Sequence, residues 1–156
     1  MEVNVLQIAE IAKIMVGSQI IDIARILDLV LITFKLNNNK SMYFHIQCFI
    51  RIFDDNNLVI CTQDLLRRSS TLGKNKKFDW AKTGNTLFDD TLAEYKEKLL
   101  STYVKDISFQ NKDIRINFEN GMLMEVFVHI TESDDPKFSE NYRIFDDDES
   151  KEHYIV

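Results

Sequence analysis

Proline occurs once and glycine four times in 156 residues. So few chain breakers leave little room for long flexible linkers, which are rich in both. Cysteine occurs twice, as Cys48 and Cys61, and without C-x-x-C spacing. Neither a zinc site nor a dithiol redox motif therefore has sequence support. Both lie in or beside apolar strand-like runs and read as free thiols in a reducing compartment. Positive charge is in deficit: 19 Lys and Arg against 25 Asp and Glu give a net charge of −6. That disfavours nucleic-acid binding through a broad basic surface. It suits a basic partner, although solubility alone asks for the same surplus. Uninterrupted apolar runs of the roughly 18 residues that span a membrane are missing. Gln7, Glu10 and Lys13 break the N-terminal apolar stretch. Glu2 is acidic, no basic residue precedes that stretch and no small-residue cleavage site follows it, so an export signal is not expected. These features predict a cytoplasmic protein. Phosphate-loop, dinucleotide-binding, G-x-S-x-G and EF-hand spacings are absent too.

What is present is ordinary globular material, with 45% apolar and 28% charged residues. Eleven Phe and five Tyr supply bulk for one core. Beyond that, the chain repeats itself. Ile32-Thr33-Phe34 returns as Ile116-Asn117-Phe118, and His45-Ile46 as His129-Ile130, both 84 positions on (32 to 116, 45 to 129). The same shift carries Ile8-Ala9-Glu10-Ile11 onto Leu92-Ala93-Glu94-Tyr95 and Asp22-Ile23 onto Asp106-Ile107. Arg51-Ile52-Phe53-Asp54-Asp55 returns intact as Arg143-Ile144-Phe145-Asp146-Asp147, now 92 positions on. A duplication with eight extra residues in the second copy accounts for both shifts.

Taken in order, residues 3–16 carry Ile8, Ile11, Ala12 and Met15 at helical spacing, and Gly17 is placed to end the helix. Residues 19–36 alternate as strands. Leu29-Val30-Leu31-Ile32 is nearly continuous, as in a strand covered on both sides or used at a subunit contact. After the turn Asn37-Asn38-Asn39-Lys40, the residues Met42, Phe44, Ile46 and Cys48 share one face, and Tyr43, His45 and Gln47 the other. Ile50 to Phe53 and Leu58 to Cys61 form a hairpin. Residues 63–84 are weakly patterned and hold Arg67, Arg68, Lys74, Lys76 and Lys77. They read as a solvated loop anchored by Phe78 or Trp80, with phosphate or nucleic-acid binding as the sharper alternative. Thr86 and Asp89 have capping-box spacing ahead of the stripe Phe88, Leu92, Tyr95 and Leu99. Ile114, Ile116 and Phe118 alternate strictly, and Asn120-Gly121 signals a tight hairpin with positive φ at both central residues. Leu123, Glu125, Phe127 and His129 then share one face. An acidic loop near residues 131–138 holds the single proline, Pro136; Tyr142 to Phe145 is a strand, and the tail from His153 adds a short edge strand.

The predicted fold is α+β: two related helix-plus-antiparallel-sheet halves packed around one core. One domain of two repeats is expected, about 3–62 and 86–148, joined by a loop over 63–85.

Three sets of residues carry candidate chemistry. His45 and His129 occupy matching places in the two copies, which suits a metal site or an acid–base pair in a small hydrolase. Arg51 and Arg143 recur with their aspartates, as strand-end ion pairs or as a grip on an anion. The acidic groups Asp134, Asp135, Asp146, Asp147, Asp148 and Glu149 are solvated loops that can meet a basic partner. No cofactor is implied.

The runs Met15-Val16-Gly17-Ser18-Gln19-Ile20, Ala24-Arg25-Ile26-Leu27-Asp28 and Phe44-His45-Ile46-Gln47-Cys48 resemble a group of small, mostly uncharacterised bacterial proteins. So do Gly84-Asn85-Thr86-Leu87-Phe88-Asp89 and the run from Phe118 to Phe127. In size and charge that group resembles the immunity proteins of bacterial toxin systems. The resemblance implies a non-catalytic binding protein that occludes a basic toxin domain with an acidic surface, through Asp134, Asp135 and the run Asp146 to Glu149. The alternatives are the hydrolase built on His45 and His129, and a structural homodimer joined through Leu29 to Ile32.

Overall fold

In the computed structural model, residues 5–129, 140–148 and 153–156 are described. Helix α1 (Val5–Met15) buries Ile11 and Met15 on its apolar stripe. It ends at Gly17, whose φ of +80° lies in the left-handed region. A Cβ there would also stand 2.9 Å from Asn37 Nδ2. Strands β1 (Gln19–Ile26), β2 (Leu29–Lys35), β3 (Ser41–Ile46), β4 (Phe49–Asp54) and β5 (Asn57–Cys61) follow. A 3-10 turn over Thr62–Leu66, which the weak patterning concealed, buries Leu65. Helix α2 (Leu87–Leu100) starts with the expected capping box: Thr86 Oγ1 accepts from the Asp89 N–H, and the Asp89 carboxylate accepts from the Thr86 N–H. Strands β6 (Val104–Gln110), β7 (Asp113–Phe118), β8 (Leu123–Phe127), β9 (Tyr142–Asp146) and β10 (Tyr154–Ile155) complete the order. The described residues thus form an α+β fold of two helices and two five-stranded antiparallel sheets. No helix among them is long and apolar enough to cross a membrane.

The sheets are divided differently from the expected halves. One has the order β1-β2-β3-β9-β10, the other β5-β4-β8-β7-β6. Each takes three strands from one half of the chain and two from the other. Gln19 and Tyr103, at the starts of β1 and β6, bridge the two sheets. Alternate inward side chains of both sheets merge into one apolar core with Phe34, Phe44, Phe88 and Tyr142 at its centre.

The registers repeat. Ile20 pairs with Phe34 and Ile23 with Ile32, with an irregularity between Ile20 and Asp22. Val104 pairs with Phe118 and Ile107 with Ile116, with an irregularity between Val104 and Asp106. Beyond the next turn the shift changes. Leu31 faces His45, whereas Arg115 faces Glu125. The register counterpart of His45 is therefore Glu125, 80 positions on (45 to 125), and not His129. The β2–β3 hairpin is longer by four residues than β7–β8, a difference that matching of identities cannot register. The second of these turns also differs from expectation. Gly121 alone takes positive φ (+86°), and its N–H donates to Phe118 O at 3.2 Å. The Phe118 N–H donates to Met122 O, closing a three-residue loop in place of the two-residue one.

A buried charge pins α2 to β1. The Arg25 side chain, 1% exposed, faces inward where its register counterpart is Phe109. It donates twice to Asp89, at 2.6 and 2.7 Å, and once each to Leu27 O and Lys82 O. Asp89 also accepts from the Gly84 N–H and the Thr86 hydroxyl. Burial alone would push the Asp89 carboxyl up, but the Arg25 and Thr86 bonds outweigh it and hold it below the ordinary carboxylate range. Asp89→Ala strands a guanidinium in the core and is expected to cost about 3–5 kcal/mol, read by urea denaturation. Because the folded pKa is depressed, this part of the stability is present above the ordinary carboxylate range and lost as pH falls through the folded pKa. The acid limb of the stability curve should flatten in Asp89→Asn.

Candidate binding surfaces

Period-two alternation settles which side chains of β3 and β9 reach the solvent side of the first sheet. Met42, Phe44, Ile46, Tyr142 and Ile144 point into the core. Tyr43, His45, Arg143 and Phe145 point outward and are half-buried. Phe145 is the hub. Tyr43 stacks on it at 5.1 Å, His153 stacks at 4.5 Å and 15°, and His45 meets it edge-on at 4.8 Å. Arg143 donates twice to Glu140, at 3.0 and 2.8 Å, and lies 3.3 Å from His153 Nδ1. A guanidinium can only donate, so Nδ1 accepts. Burial first, then the Arg143 charge, lowers the His45 pKa and favours its neutral form.

The acidic run borders this patch. Asp147 accepts from the Tyr43 hydroxyl at 2.7 Å and from the Ser41 N–H at 2.8 Å. The Tyr43 bond is the main reason its carboxyl sits below the usual range. Asp146 accepts from the Asp148 N–H and lines a small cleft of about 150 Å³ with Glu10, Ile11, Ile14, Met42 and Ile144. Asp134, Asp135 and Glu149 lie outside the described residues.

The second sheet presents a different outer face. Arg51 lies over the Phe127 ring at 4.7 Å and the Phe53 ring at 5.4 Å, and pairs with Glu125 at 3.1 Å. Beside it a cleft of about 400 Å³ is walled by Phe49, Leu58, Cys61, Thr62 and Phe127. Phe49 and Leu58 are 43% and 51% exposed. Burial raises both thiols, Cys48 to about 12, so both rest as protonated thiols at neutral pH.

The two repeated arginines do occupy matching register positions, Arg51 facing Glu125 and Arg143 facing His45. Their carboxylate partners are Glu125 and Glu140, however, and not the aspartates that follow them in sequence. Asp54 instead binds Lys98 of α2 at 2.6 Å. The proposed histidine pair is not brought into register. His45 packs on Phe145 of the first sheet, while exposed His129 follows β8 of the second and packs on Phe49 at 5.0 Å. Among the described residues no three His, Cys, Asp or Glu side chains converge on one point suited to a metal. Strand β2 has both edges bonded, to β1 and β3, so Leu29 and Leu31 offer only a half-buried outer face. In the 63–84 loop Phe78 is half-buried and Trp80 is 41% exposed. Alternation marks Tyr43, Phe127 and Phe145 as outward, and aromatic residues at outward positions were the available signal for these patches. The cross-strand partners that join them were not legible. No protein-family model matches the chain, and no curated protein or solved structure shows significant similarity to it.

His45 is expected to titrate below the ordinary 6.5 of histidine, by NMR of its ring protons. In Arg143→Gln the value should move up, because one of the charges that disfavour the imidazolium is gone. No movement would exclude Arg143 as a cause and leave burial as the main one.

Proposed function

We propose that the chain is a non-catalytic binding protein of the immunity type, which acts in the cytoplasm by occluding a basic toxin domain. One observation carries the reading: four rings, those of Tyr43, His45, Phe145 and His153, pack together on the outside of a sheet, with Asp147 fastened to their rim. An aromatic centre edged by charge is the anatomy of a protein-binding patch. Asp146, Asp147 and Asp148 stand at the end of the strand that supplies Phe145, and the net charge of −6 steers a cationic partner toward the chain. Burial, which favours neutral His45, keeps that ring from repelling such a partner.

We also infer that the two halves descend from one copied unit. The shared strand order, the repeated irregularity near the start of β1 and β6, and the register-matched Arg51 and Arg143 support this. The extra chain in the second copy then lies between β8 and β9, about residues 128–141, and amounts to twelve residues once the shorter hairpin is counted. The shift passes from 80 (45 to 125) to 92 (51 to 143).

Titration calorimetry against the toxin-like product of the neighbouring upstream gene tests the function. Binding is expected, with Phe145→Ala weakening it by about 2 kcal/mol, roughly thirtyfold. Asp147→Asn should slow association and reduce its salt dependence. Absence of binding by the folded protein, or full affinity in Phe145→Ala, overturns the reading.

A further inference from the structure

The weakly patterned loop builds a cavity. Leu72, Lys76, Phe78, Trp80, Lys82 and Asn85 line a recess of about 650 Å³, a size that accommodates a cofactor-sized ligand. Lys77 completes a set of three ammonium groups at its wall, and none of the three is paired with a carboxylate among the described residues. One carboxylate, Asp79, shares the wall, and its Oδ1 is occupied by the Ala81 N–H. Asn85 is 8% exposed, yet its side-chain amide makes no hydrogen bond to any described residue. Its backbone is fully engaged, the N–H with Lys82 O and the C=O with the Ser69 N–H. The side-chain amide atoms are not sealed off, because they keep contact with solvent and so stay open to a ligand in the recess.

The recess is also held open by fixed chain. Arg25 donates to Lys82 O, and Asp89 accepts from the Gly84 N–H, so the buried ion pair fastens one rim. Asp90 accepts from the Ser69 hydroxyl and the Ser70 N–H, and Arg68 donates to Gly73 O at 2.6 Å, fastening the other. Preorganised walls spare a ligand the cost of ordering them.

We propose that this recess binds a nucleotide, a nucleoside carrying a short phosphate chain. The lysines neutralise the phosphates as point charges. Phe78 and Trp80 offer faces for the base, since stacking on an aromatic ring serves any base. The Asn85 amide supplies one donor group and one acceptor, the pairing that a base edge presents. A nucleic-acid polymer is the poorer fit, because the cations are confined to one loop of a chain with a net charge of −6.

Trp80 is the only tryptophan, so its emission reports on this recess directly. Titration of the full-length protein with ADP should quench it saturably, with half-saturation below about 1 mM, and calorimetry should return the same constant. Lys76→Ala combined with Lys82→Ala should weaken binding about tenfold or more, since charge-assisted contacts are lost. Lys105→Ala, on β6, should leave it unchanged. Pyrophosphate and adenosine alone should each bind more weakly than ADP. No saturable response to ADP, equal affinity in the double lysine variant, or pyrophosphate binding as tightly as ADP would overturn the proposal. None of these outcomes bears on toxin binding at Phe145, which is read with a different ligand and different variants.

Discussion

Neither sheet can be completed by one half of the chain. The β4–β5 hairpin finds its partner in β8, and β9 finds its partner in β3. A strand without its neighbour leaves a row of backbone donors and acceptors unpaired, so each half supplies the pairing that the other lacks. These contacts join residues far apart in the chain, Arg51 with Glu125 and His45 with Arg143. Their loop-closure entropy must be met before the core forms, which makes the fold cooperative across its whole length. The single core follows, because side chains from both halves enter each layer.

The exchange also decides what the outer faces are made of. On the first sheet, Tyr43 and His45 from one half meet Phe145, Arg143 and His153 from the other. On the second, Arg51 and Phe53 from one half meet Glu125 and Phe127 from the other. Matching arginines thus find unlike company, a ring stack with histidines in one case and a phenylalanine sandwich in the other. The same backbone positions therefore present two chemically distinct surfaces.

A second constraint acts at the start of α2. Asp89 is at once a capping residue, the partner of buried Arg25 and an acceptor for the Gly84 N–H. With Asp90 holding Ser69 and Ser70, the helix N-terminus organises a loop that has almost no regular structure of its own. Lys76, Lys82, Phe78 and Trp80 are gathered around one recess by bonds made largely to backbone atoms, so the sequence showed a basic cluster with an aromatic anchor but not the recess itself.

Local chemistry alone was enough for the two α-helices and most of the strands. Alternation of Ile114, Ile116 and Phe118, the Thr86–Asp89 cap and the Gly17 stop act within a few residues, and each appears where the residue types place it. The α+β class and the inward faces were legible for the same reason. Pairing was not. Identities placed His129 opposite His45, but hydrogen-bond register put Glu125 there, because the length of a hairpin is set by its turn and by the strands it joins. Arg25 lies between apolar neighbours in sequence, and only the approach of Asp89, 64 residues away, makes its burial tolerable. What the chain determined by itself were periods and caps, which depend on neighbours along the backbone. Strand exchange, the buried ion pair and the convergence of the loop lysines depend on neighbours across space, and tertiary structure alone decided them.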